Sequence, residues 1–408
     1  LFLFNLLVLM QNLIEREHEV MFQNYRRLPI EISKAIGSEI FDISGKRYLD
    51  FLSGIAVNAL GHSHPRIIKA IQEQAERYLH VSNFFYQEPQ IKLSELISQK
   101  SGYDRVYFSN SGAESFEGAI KLARLWGNEH GKHQMIAFGG GFHGRTYGAL
   151  SLMNKPLYKD GMGPFLPQMS VIPFNDVNAL RSAVNEDTCA IALEFLQGEG
   201  GITHADPSFV TELMNLKDTF NFLIIADEVQ SGIGRTGSLF FFEKYLIKPD
   251  IIVIAKGIGG GLPLGAIVTT NDLAKLVDKG RHGTTYGGNS LACAAGIVVM
   301  EELYNGIMAN AREMGCYLKD VLQAIKEEFP EYIKEIRGCG CMQGVVLSFE
   351  SAIMVEELLK QGIIANATSV NVLRILPALT ISKNEIDEFG VGLRTSMQNL
   401  IVKGISKG

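Results

Sequence analysis

Short, continuous apolar runs recur along the first two thirds of the chain. They lie at residues 135–138, 188–195, 222–226 and 250–254, and a further strand-like run with polar ends precedes them at residues 104–109. Runs of this length without polar alternation are typical of strands that are buried on both faces of a parallel sheet. The helical spacing of Ile120, Ala123 and Leu125 predicts a helix over residues 114–128, between the first two runs. Strands that alternate with helices indicate an α/β fold.

The hydrophobic pattern changes near residue 305. Two amphipathic helical patterns and two shorter strand-like runs follow, at residues 309–328, 355–361, 344–349 and 372–376 respectively. We therefore predict a large domain over residues 61–304 and a smaller α+β domain over residues 305–408. Residues 21–60 contain a hairpin pattern at residues 38–52, and we expect this segment to pack with the small domain.

An apolar run opens the chain. Residues 1–10 are almost wholly apolar, but a run of this length is about half of what spans a bilayer. It lacks both a basic segment and a small-residue cleavage site, so it would make a poor signal peptide. The chain begins with Leu1, so two interpretations stay open: translated upstream sequence with the true start at Met10 or Met21, or a real amphipathic segment. We treat residues 1–20 as an uncertain N-terminal extension. No membrane partner is expected.

Composition narrows the class of protein. Of the 408 residues, 46% are hydrophobic and 20% are charged, as in ordinary globular proteins. The net charge of −6 gives no basic footprint for nucleic acid. Five cysteines, an odd and sparse number, indicate reduced thiols and a cytoplasmic protein. Cys339 and Cys341 form a Cys-x-Cys pair, but no further ligands have a suitable spacing, so no metal site is predicted.

A small-residue turn follows the first predicted strand. It contains Ser111, Gly112 and Ala113 and opens the predicted helix. The free N–H groups and the positive dipole end of a helix N-terminus favour a phosphate, so this turn is a candidate anion site. An ordinary capped helix start is the alternative.

Asp227 and Lys256 each follow a strongly apolar run. The acid suits metal binding, helix capping or pairing with a heterocyclic nitrogen. Lys256 precedes the glycine-rich segment 257–265, and desolvation there would lower the pKa of the amine and favour a nucleophile. A P-loop lysine is the alternative, but the GxxxxGK[ST] order is absent.

An acid, a lysine and an anion site at strand ends together fit one cofactor. Ligands of open α/β sheets lie beyond the carboxyl ends of the strands, so these groups are expected to meet. Pyridoxal 5'-phosphate needs all three. Lys256 would be its Schiff-base lysine, and Asp227 would keep its pyridine nitrogen protonated.

A series of short motifs spans residues 25–380. They include Gly54-Ile-Ala-Val-Asn-Ala-Leu-Gly-His62, Asn110-Ser-Gly-Ala-Glu114, Gly141-Phe-His-Gly-Arg-Thr146, Gln197-Gly-Glu-Gly-Gly201, Asp227-Glu-Val-Gln-Ser-Gly-Ile-Gly-Arg-Thr-Gly237, Ala255-Lys-Gly257 and Thr284-Thr-Tyr-Gly-Gly-Asn289. In this order they resemble the class III (ornithine-type) pyridoxal-phosphate aminotransferases, most closely the acetylornithine type. The resemblance implies a fold-type I transferase whose large domain has a mostly parallel seven-stranded sheet.

The resemblance also implies how the cofactor is held. Phe142 would stack on one face of its ring and Val229 on the other, while Gln230 would reach the 3-oxygen. Thr285 would bind the phosphate in the neighbouring subunit, so a homodimer with shared active sites is expected. Without the resemblance, Phe142 and Val229 would be interpreted as core residues.

Four further residues match substrate-binding positions of the family. Arg374 would hold the α-carboxylate of glutamate with a bidentate pair. Arg145 would take the distal carboxylate, which is the far one of 2-oxoglutarate or the α-carboxylate of an acylated ornithine. Glu199 would pair with Arg374 when the other substrate is bound, and Tyr25 would contact the distal end of the substrate. A surface ion pair is the usual role of a single arginine, but Arg374 interrupts an apolar strand.

The chain departs from the family pattern at two positions. Phe195 follows Glu194 where the family has proline, and Phe116 precedes Glu117 where the family has asparagine. Neither change removes a catalytic group. We expect these changes to alter the local backbone and the dimer surface.

The implied reaction is a ping-pong transamination from N2-acetylornithine to 2-oxoglutarate, which yields N-acetylglutamate 5-semialdehyde and glutamate in arginine biosynthesis. Ornithine aminotransferases carry a tyrosine near Gly54, and its absence here leaves room for an acyl group. Ornithine, succinylornithine, 4-aminobutyrate and acylated lysine are alternative donors. A decarboxylase or racemase of the same fold uses the same lysine and aspartate. A dinucleotide-binding domain is disfavoured, because no GxGxxG motif follows a first strand.

Overall fold

The computed structural model describes residues 13–406. Of the predicted N-terminal extension, residues 1–12 lie outside the described residues. The remainder forms the helix Leu13–Val20, which has no buried residue.

A seven-stranded sheet forms the centre of the molecule. Its strands, in spatial order, are Arg105–Ser109, Gly265–Thr269, Ile251–Ile254, Leu223–Asp227, Thr188–Leu193, Gln134–Phe138 and Met169–Ile172. Gly265–Thr269 is antiparallel to both of its neighbours, and the other strands run in one direction. The predicted α/β fold with a mostly parallel seven-stranded sheet is confirmed.

The continuous apolar runs of the sequence are explained by burial on both faces of this sheet. Every residue of Thr188–Leu193 is buried. Ile191 and Leu193 belong to one apolar cluster, while Ala190 and Ala192 belong to a second cluster on the other face. Successive side chains of a strand point to opposite faces, so a strand covered on both sides needs apolar residues at every position.

Helices and short helical turns cover the faces of the sheet and the strand ends. The α-helices of this part are Ser53–Ala56, Pro65–Arg77, Glu88–Ser101, Gly112–His130, Tyr147–Ser151, Pro156–Lys159, Val177–Ala183, Pro207–Phe220, Asn271–Ala274 and Ser290–Glu302, and the 3₁₀ turns are Phe241–Tyr245 and Lys256–Gly259. The predicted helix over residues 114–128 corresponds to Gly112–His130. It ends at Gly131, whose φ of +67° is the left-handed conformation that glycine adopts most easily.

The C-terminal part has its own four-stranded antiparallel sheet. Its strands, in spatial order, are Ile333–Cys339, Met342–Leu347, Val372–Ile375 and Asn366–Thr368, and its helices are Met308–Glu328, Ser351–Lys360 and Lys383–Val402. A π-helical turn, Leu303–Ile307, joins Ser290–Glu302 to Met308–Glu328. The α+β character predicted for this part is confirmed.

The N-terminal segment forms another sheet and joins it to the C-terminal part. Its strands are Ile32–Ile36, Glu39–Asp42 and Arg47–Asp50, and Ile363–Ile364 adds to Arg47–Asp50 in parallel. The predicted hairpin at residues 38–52 is present. A two-stranded ribbon, Leu196–Gln197 with Thr203–His204, completes the strands. One apolar cluster joins residues of the N-terminal segment, the central sheet and the C-terminal part. Because this core is continuous, the predicted domain boundaries at residues 60 and 304 stay predictions.

One helical stretch, Ser290–Glu328, is long and apolar enough to cross a membrane by length and composition alone. Its N-terminal half is largely buried, from Ala292 to Met300, among the apolar residues of the protein. A core helix passes the same test of length and composition, and burial of this half accounts for its apolar character.

Candidate active site

Lys256 lies at the carboxyl end of a fully buried strand, Ile251–Ile254, and begins a 3₁₀ turn. Its φ of +50° is uncommon for a residue with a side chain and is typical of functional positions. Burial, reinforced by the positive charge of Arg374, lowers the pKa of the Lys256 amine to about 8. Within residues 13–406 this amine has no hydrogen-bond or ion-pair partner. The amine is therefore partly neutral near neutral pH and free of such partners within the described residues.

Asp227 ends the neighbouring strand, where it is in register with Val253. Its Oδ1 accepts a hydrogen bond of 3.1 Å from the Val229 N–H, and its Oδ2 lies 2.8 Å from Nδ1 of His143. Both side chains of this Asp227–His143 pair are almost fully buried. The two contacts fix the orientation of the carboxylate at the strand end.

The N-terminus of the helix Gly112–His130 faces the same strand ends. The Ser111 hydroxyl accepts a hydrogen bond of 3.2 Å from the Glu114 N–H, so Ser111 caps the helix. In the described part of the chain, the N–H groups of Gly112 and Ala113 have no acceptor. Capping and anion binding are thus compatible, because the side chain of Ser111 occupies one donor and leaves two free.

A cavity of about 500 Å³ brings these groups together. The predicted site residues that line it are Ser111, Gly112, Ala113, Phe142, Arg145, Asp227, Val229, Gln230 and Lys256. Gly112 must be small, since a Cβ there would lie 2.9 Å from both methyl carbons of Val229. The close contact brings the helix N-terminus against one wall of the cavity.

Arg374 is 2% exposed and lies in the strand Val372–Ile375, as its position within an apolar run predicted. Its Nη1 donates to Glu199 Oε1 at 2.5 Å and to Gln230 Oε1 at 3.3 Å, and its Nε donates to Asn366 Oδ1 at 3.0 Å. Burial opposes ionisation of Glu199, yet Arg374 keeps the pKa of that carboxyl below its usual value. The predicted Arg374–Glu199 pair is therefore present as an ion pair.

Thr285 and Tyr25 lie apart from this cavity. Thr285 is exposed and lines a second cavity of about 1110 Å³, next to Asn83 and Phe84. Tyr25 is 69% exposed, and its ring lies 5.3 Å from the guanidinium of Arg27. Their predicted roles, in a partner subunit's site and at the distal end of the substrate, stay predictions.

The sequence predicted no function for two residues of the site, His143 and Glu194. His143 holds Asp227, and Glu194 accepts hydrogen bonds from the Phe142 N–H at 2.8 Å and the Gly198 N–H at 2.9 Å. Both line the cavity. Burial, together with the nearby negative charge of Asp227, raises the pKa of Glu194. Glu194 could have been identified from the sequence, because it is an acidic residue directly after a buried strand. Asp227 was identified by the same pattern.

The two departures from the family pattern are both buried in the protein. Phe116 is stacked on His143, with ring centroids 4.4 Å apart and planes 3° apart. Phe195 packs against Tyr245, with ring centroids 5.6 Å apart. Neither side chain lies on the surface of the single chain, and the expected effect on the dimer surface stays a prediction.

The arrangement fits pyridoxal phosphate on several independent counts. Lys256 supplies an amine without a partner, and Gly112 and Ala113 supply two backbone donors without acceptors for a phosphate. Asp227 supplies a buried carboxylate for the ring nitrogen. Phe142 lines the space between them. The donor set thus matches the amine-reactive, basic and anionic groups of the cofactor.

Comparisons with known proteins identify the family of the chain. A family model described as aminotransferase class-III matches residues 20–395. The chain is 44% identical over 383 residues to the acetylornithine aminotransferase of Methanocaldococcus jannaschii, covering 92% of this chain and 96% of the relative. Its fold matches that of the Toxoplasma gondii ornithine aminotransferase with a TM-score of 0.92, 30% identity and 97% coverage of both chains.

A second solved structure is similar over almost the whole chain. The N-acetylornithine aminotransferase of Stenotrophomonas maltophilia matches with a TM-score of 0.83 and 32% identity, covering 96% of this chain and 100% of the other. These similarities extend over both the seven-stranded sheet and the C-terminal part. The chain therefore belongs to the class III aminotransferases, which are pyridoxal-phosphate enzymes that act on amino-acid and 2-oxo-acid substrates.

Proposed function

We propose that this protein transfers the δ-amino group of N2-acetylornithine to 2-oxoglutarate, giving N-acetylglutamate 5-semialdehyde and glutamate, as a step of arginine biosynthesis. The buried Arg374–Glu199 pair near Lys256 carries this proposal. Arg374 can bind a substrate carboxylate, and Glu199 can neutralise Arg374 when the substrate brings no carboxylate to it. Several curated relatives named acetylornithine aminotransferase, at 38–44% identity, support it.

The chain's own residues would divide the work as follows. Bound pyridoxal phosphate supplies an electron sink for the negative charge that develops on the substrate carbon. Lys256 would bind it covalently through Nζ and, once displaced by the donor amine, would move a proton from the donor carbon to the cofactor's C4′ carbon. Asp227, held by His143, would keep a proton on the ring nitrogen.

Other residues would bind and orient the cofactor. The N–H groups of Gly112 and Ala113, with Ser111, would hold the phosphate. Phe142 and Val229 would pack on the two faces of the ring, and Gln230 would donate to its 3-oxygen. These contacts would fix the C–H bond of the donor carbon relative to the Lys256 amine. They would also exclude water from the reacting atoms.

Arg374 and Glu199 would let one pocket accept two different donors. When glutamate is bound, Arg374 would bind its α-carboxylate and Glu199 would move away. When acetylornithine is bound, Glu199 would neutralise Arg374, and Arg145 would take the α-carboxylate at the far end. Tyr25 would contact the same distal end.

The substitution Glu199→Gln tests this exchange. Glutamine removes the negative charge of Glu199 and keeps the shape of its side chain. Arg374 is then free to bind glutamate, but it has no charged partner while acetylornithine is bound. We expect KM to fall for glutamate and kcat/KM for acetylornithine to fall by about 10-fold, since an unpaired buried charge is costly. Single-turnover absorbance of each half-reaction measures both.

A matched control is Glu212→Gln, which breaks an exposed pair with Arg181 (Nε to Oε1, 2.7 Å) remote from the cavity. This variant should behave as wild type in both half-reactions. An equal loss with glutamate and acetylornithine in Glu199→Gln contradicts the exchange.

The pKa of Lys256 predicts how cofactor uptake depends on pH. With a pKa of about 8, the free amine is mostly protonated below that value and mostly neutral above it. Because only the neutral amine attacks a carbonyl, the rate of pyridoxal-phosphate uptake by cofactor-free protein should rise with pH through about 8. Stopped-flow absorbance measures the rate, and a rate that is constant over this range argues against the assigned nucleophile.

We propose that the chain acts as a cytoplasmic homodimer. Thr285 is exposed beside a group of large aromatic side chains that are also exposed, which include Phe84 (94%), Tyr86 (98%) and Tyr286 (62%). Exposed apolar groups of this size mark protein interfaces. Thr285 would donate to the phosphate in the partner's site. Five free cysteines accord with a reducing compartment.

The identity of the donor is tested by steady-state kinetics. The panel contains N2-acetylornithine, ornithine, succinylornithine, 4-aminobutyrate and an acylated lysine, each with 2-oxoglutarate. We expect the highest kcat/KM with N2-acetylornithine. A large preference for free ornithine overturns the proposed donor and leaves the aminotransferase family unaffected.

A further inference from the structure

Arg145, at the cavity wall, is held by aromatic rings. Its Cζ lies 3.7 Å from the ring centroid of Tyr158 and 5.5 Å from that of Phe142. The two rings meet edge to face, with centroids 5.9 Å apart and planes 83° apart. Tyr158 belongs to the short helix Pro156–Lys159 and is half-buried, but it does not line the cavity itself. Tyr158 therefore touches Arg145 without lining the cavity.

Two cations meet at Tyr158. Lys155 Nζ lies 4.7 Å from the centroid of the same ring and donates to the Tyr158 hydroxyl at 3.1 Å. Among residues 13–406, neither Arg145 nor Lys155 forms an ion pair with a carboxylate. Lys155 also acts on the site electrostatically, since its positive charge helps to lower the pKa of the Glu199 carboxyl. Two unneutralised positive charges thus lie next to one wall of the cavity.

The mode of contact decides what Arg145 can bind. A guanidinium that rests on a ring face keeps its N–H edges free. Those edges form the fork that pairs with a carboxylate through two parallel hydrogen bonds. Within the described residues Arg145 has no hydrogen bond of its own, so the rings are what limits its rotation. Removing the nearer ring would leave the fork poorly oriented.

We propose that Tyr158 is a positioning residue that orients Arg145 toward the carboxylate at the distal end of the substrate, and that Lys155 is the second cation of this subsite. The proposal rests on the proposed function, in which Arg145 takes that carboxylate. It predicts that selection for a distal carboxylate depends on the Tyr158 ring and more weakly on its hydroxyl.

The first test compares two donors that differ only in the carboxylate. N-acetylputrescine is N2-acetylornithine without its α-carboxylate. Tyr158→Leu should raise KM for N2-acetylornithine by about 10-fold with little change in kcat, as loss of one guanidinium–ring contact suggests. Its kcat/KM for N-acetylputrescine should match wild type. Tyr158→Phe, which keeps the ring, should restore most of the affinity.

A matched control is Tyr304→Leu, which removes another ring that carries a lysine, with Lys100 Nζ 4.3 Å from its centroid. This pair does not line the cavity. Tyr304→Leu should leave both donors unaffected. Melting temperature and bound cofactor establish that each variant is folded. A Tyr158→Leu variant that loses kcat/KM equally for both donors, or that keeps the wild-type KM for N2-acetylornithine, overturns the proposal.

A second measurement does not depend on turnover. Isothermal titration calorimetry of the cofactor-loaded protein compares glutarate, which has two carboxylates, with butanoate, which has one. Tyr158→Leu should weaken glutarate binding by about 10-fold and leave butanoate unchanged. Lys155→Ala should weaken glutarate binding less, and mostly at low ionic strength. If wild type does not use N2-acetylornithine, the proposed function fails, while the glutarate comparison still decides the role of Tyr158.

Discussion

Lys256→Ala should abolish transamination, with a loss in kcat of at least ~10³-fold, because we propose that this one residue supplies both the covalent attachment and the proton transfer. Within the described residues, 13–406, the Lys256 amine has no hydrogen-bond or ion-pair partner to lose. This amine is held in a buried environment that lowers its pKa to about 8. Because no partner of this amine is lost within residues 13–406, the variant should fold normally and remain inactive, and single-turnover kinetics with glutamate measure the loss.

Two controls separate chemistry from folding in this experiment. Lys256→Arg keeps a positive charge but not a nucleophilic amine, and it should be as inactive as Lys256→Ala. Lys248→Ala removes an exposed lysine that donates to the Gly102 carbonyl, and it should keep wild-type activity. Activity in Lys256→Ala within about 10-fold of wild type would assign the general acid–base role to another group.

Asp227→Asn should lower kcat by ~10²–10³-fold, the range seen when one preorganised electrostatic contact to a reacting centre is removed. Asparagine keeps the size of the side chain and a hydrogen bond near His143, but it holds no negative charge for the ring nitrogen. The affected quantity is kcat in both half-reactions, since in each one negative charge would develop on the substrate carbon that loses or gains the amino group, and the same protonated ring would accept it. Stopped-flow absorbance follows each half-reaction separately.

The neighbouring Glu228 provides the control. Its carboxylate is buried, accepts hydrogen bonds from the Phe241 and Phe242 N–H groups, and does not line the cavity. Burial raises the pKa of Glu228 to about 7, so glutamine resembles its neutral form. Glu228→Gln should keep kcat close to wild type. A loss in Glu228→Gln equal to that in Asp227→Asn would mean that local packing, not the Asp227 charge, causes the effect.

Much of the central sheet was predictable because burial on both faces leaves a continuous apolar run. The strands Leu223–Asp227 and Ile251–Ile254 are examples, and their bounds differ from the prediction by one residue. Two strands were missed. Met169–Ile172 is an edge strand with only half-buried residues, so its sequence lacks the continuous apolar character. Gly265–Thr269 begins with glycine directly after a glycine-rich loop, which obscures its start.

The parts of the site that come from strand ends were predictable, but their partners were not. Leu193 pairs with Ala226, so the next residues along the two strands, Glu194 and Asp227, become neighbours. That adjacency depends on strand order, which local patterns do not encode. His143 was missed for the same reason, since it follows the strand Gln134–Phe138 on the far side of Thr188–Leu193.

Arg374 shows what the resemblance added. Its burial followed from its place in an apolar strand, but its pairing with Glu199 joins segments 175 residues apart. Only the motif match predicted that contact before the structure. Tyr158, by contrast, lies in a short polar segment with no motif, and its relation to Arg145 follows from the coordinates alone.

The central claim is that Lys256 binds the cofactor covalently. Borohydride reduction of the purified holoprotein, followed by proteolysis and peptide mass spectrometry, tests it most directly, because reduction converts the link into a stable secondary amine. We expect a phosphopyridoxyl group on the peptide that contains Lys256 and on no other lysine. Attachment to a different lysine, or cofactor retained with Lys256 unmodified, would contradict it.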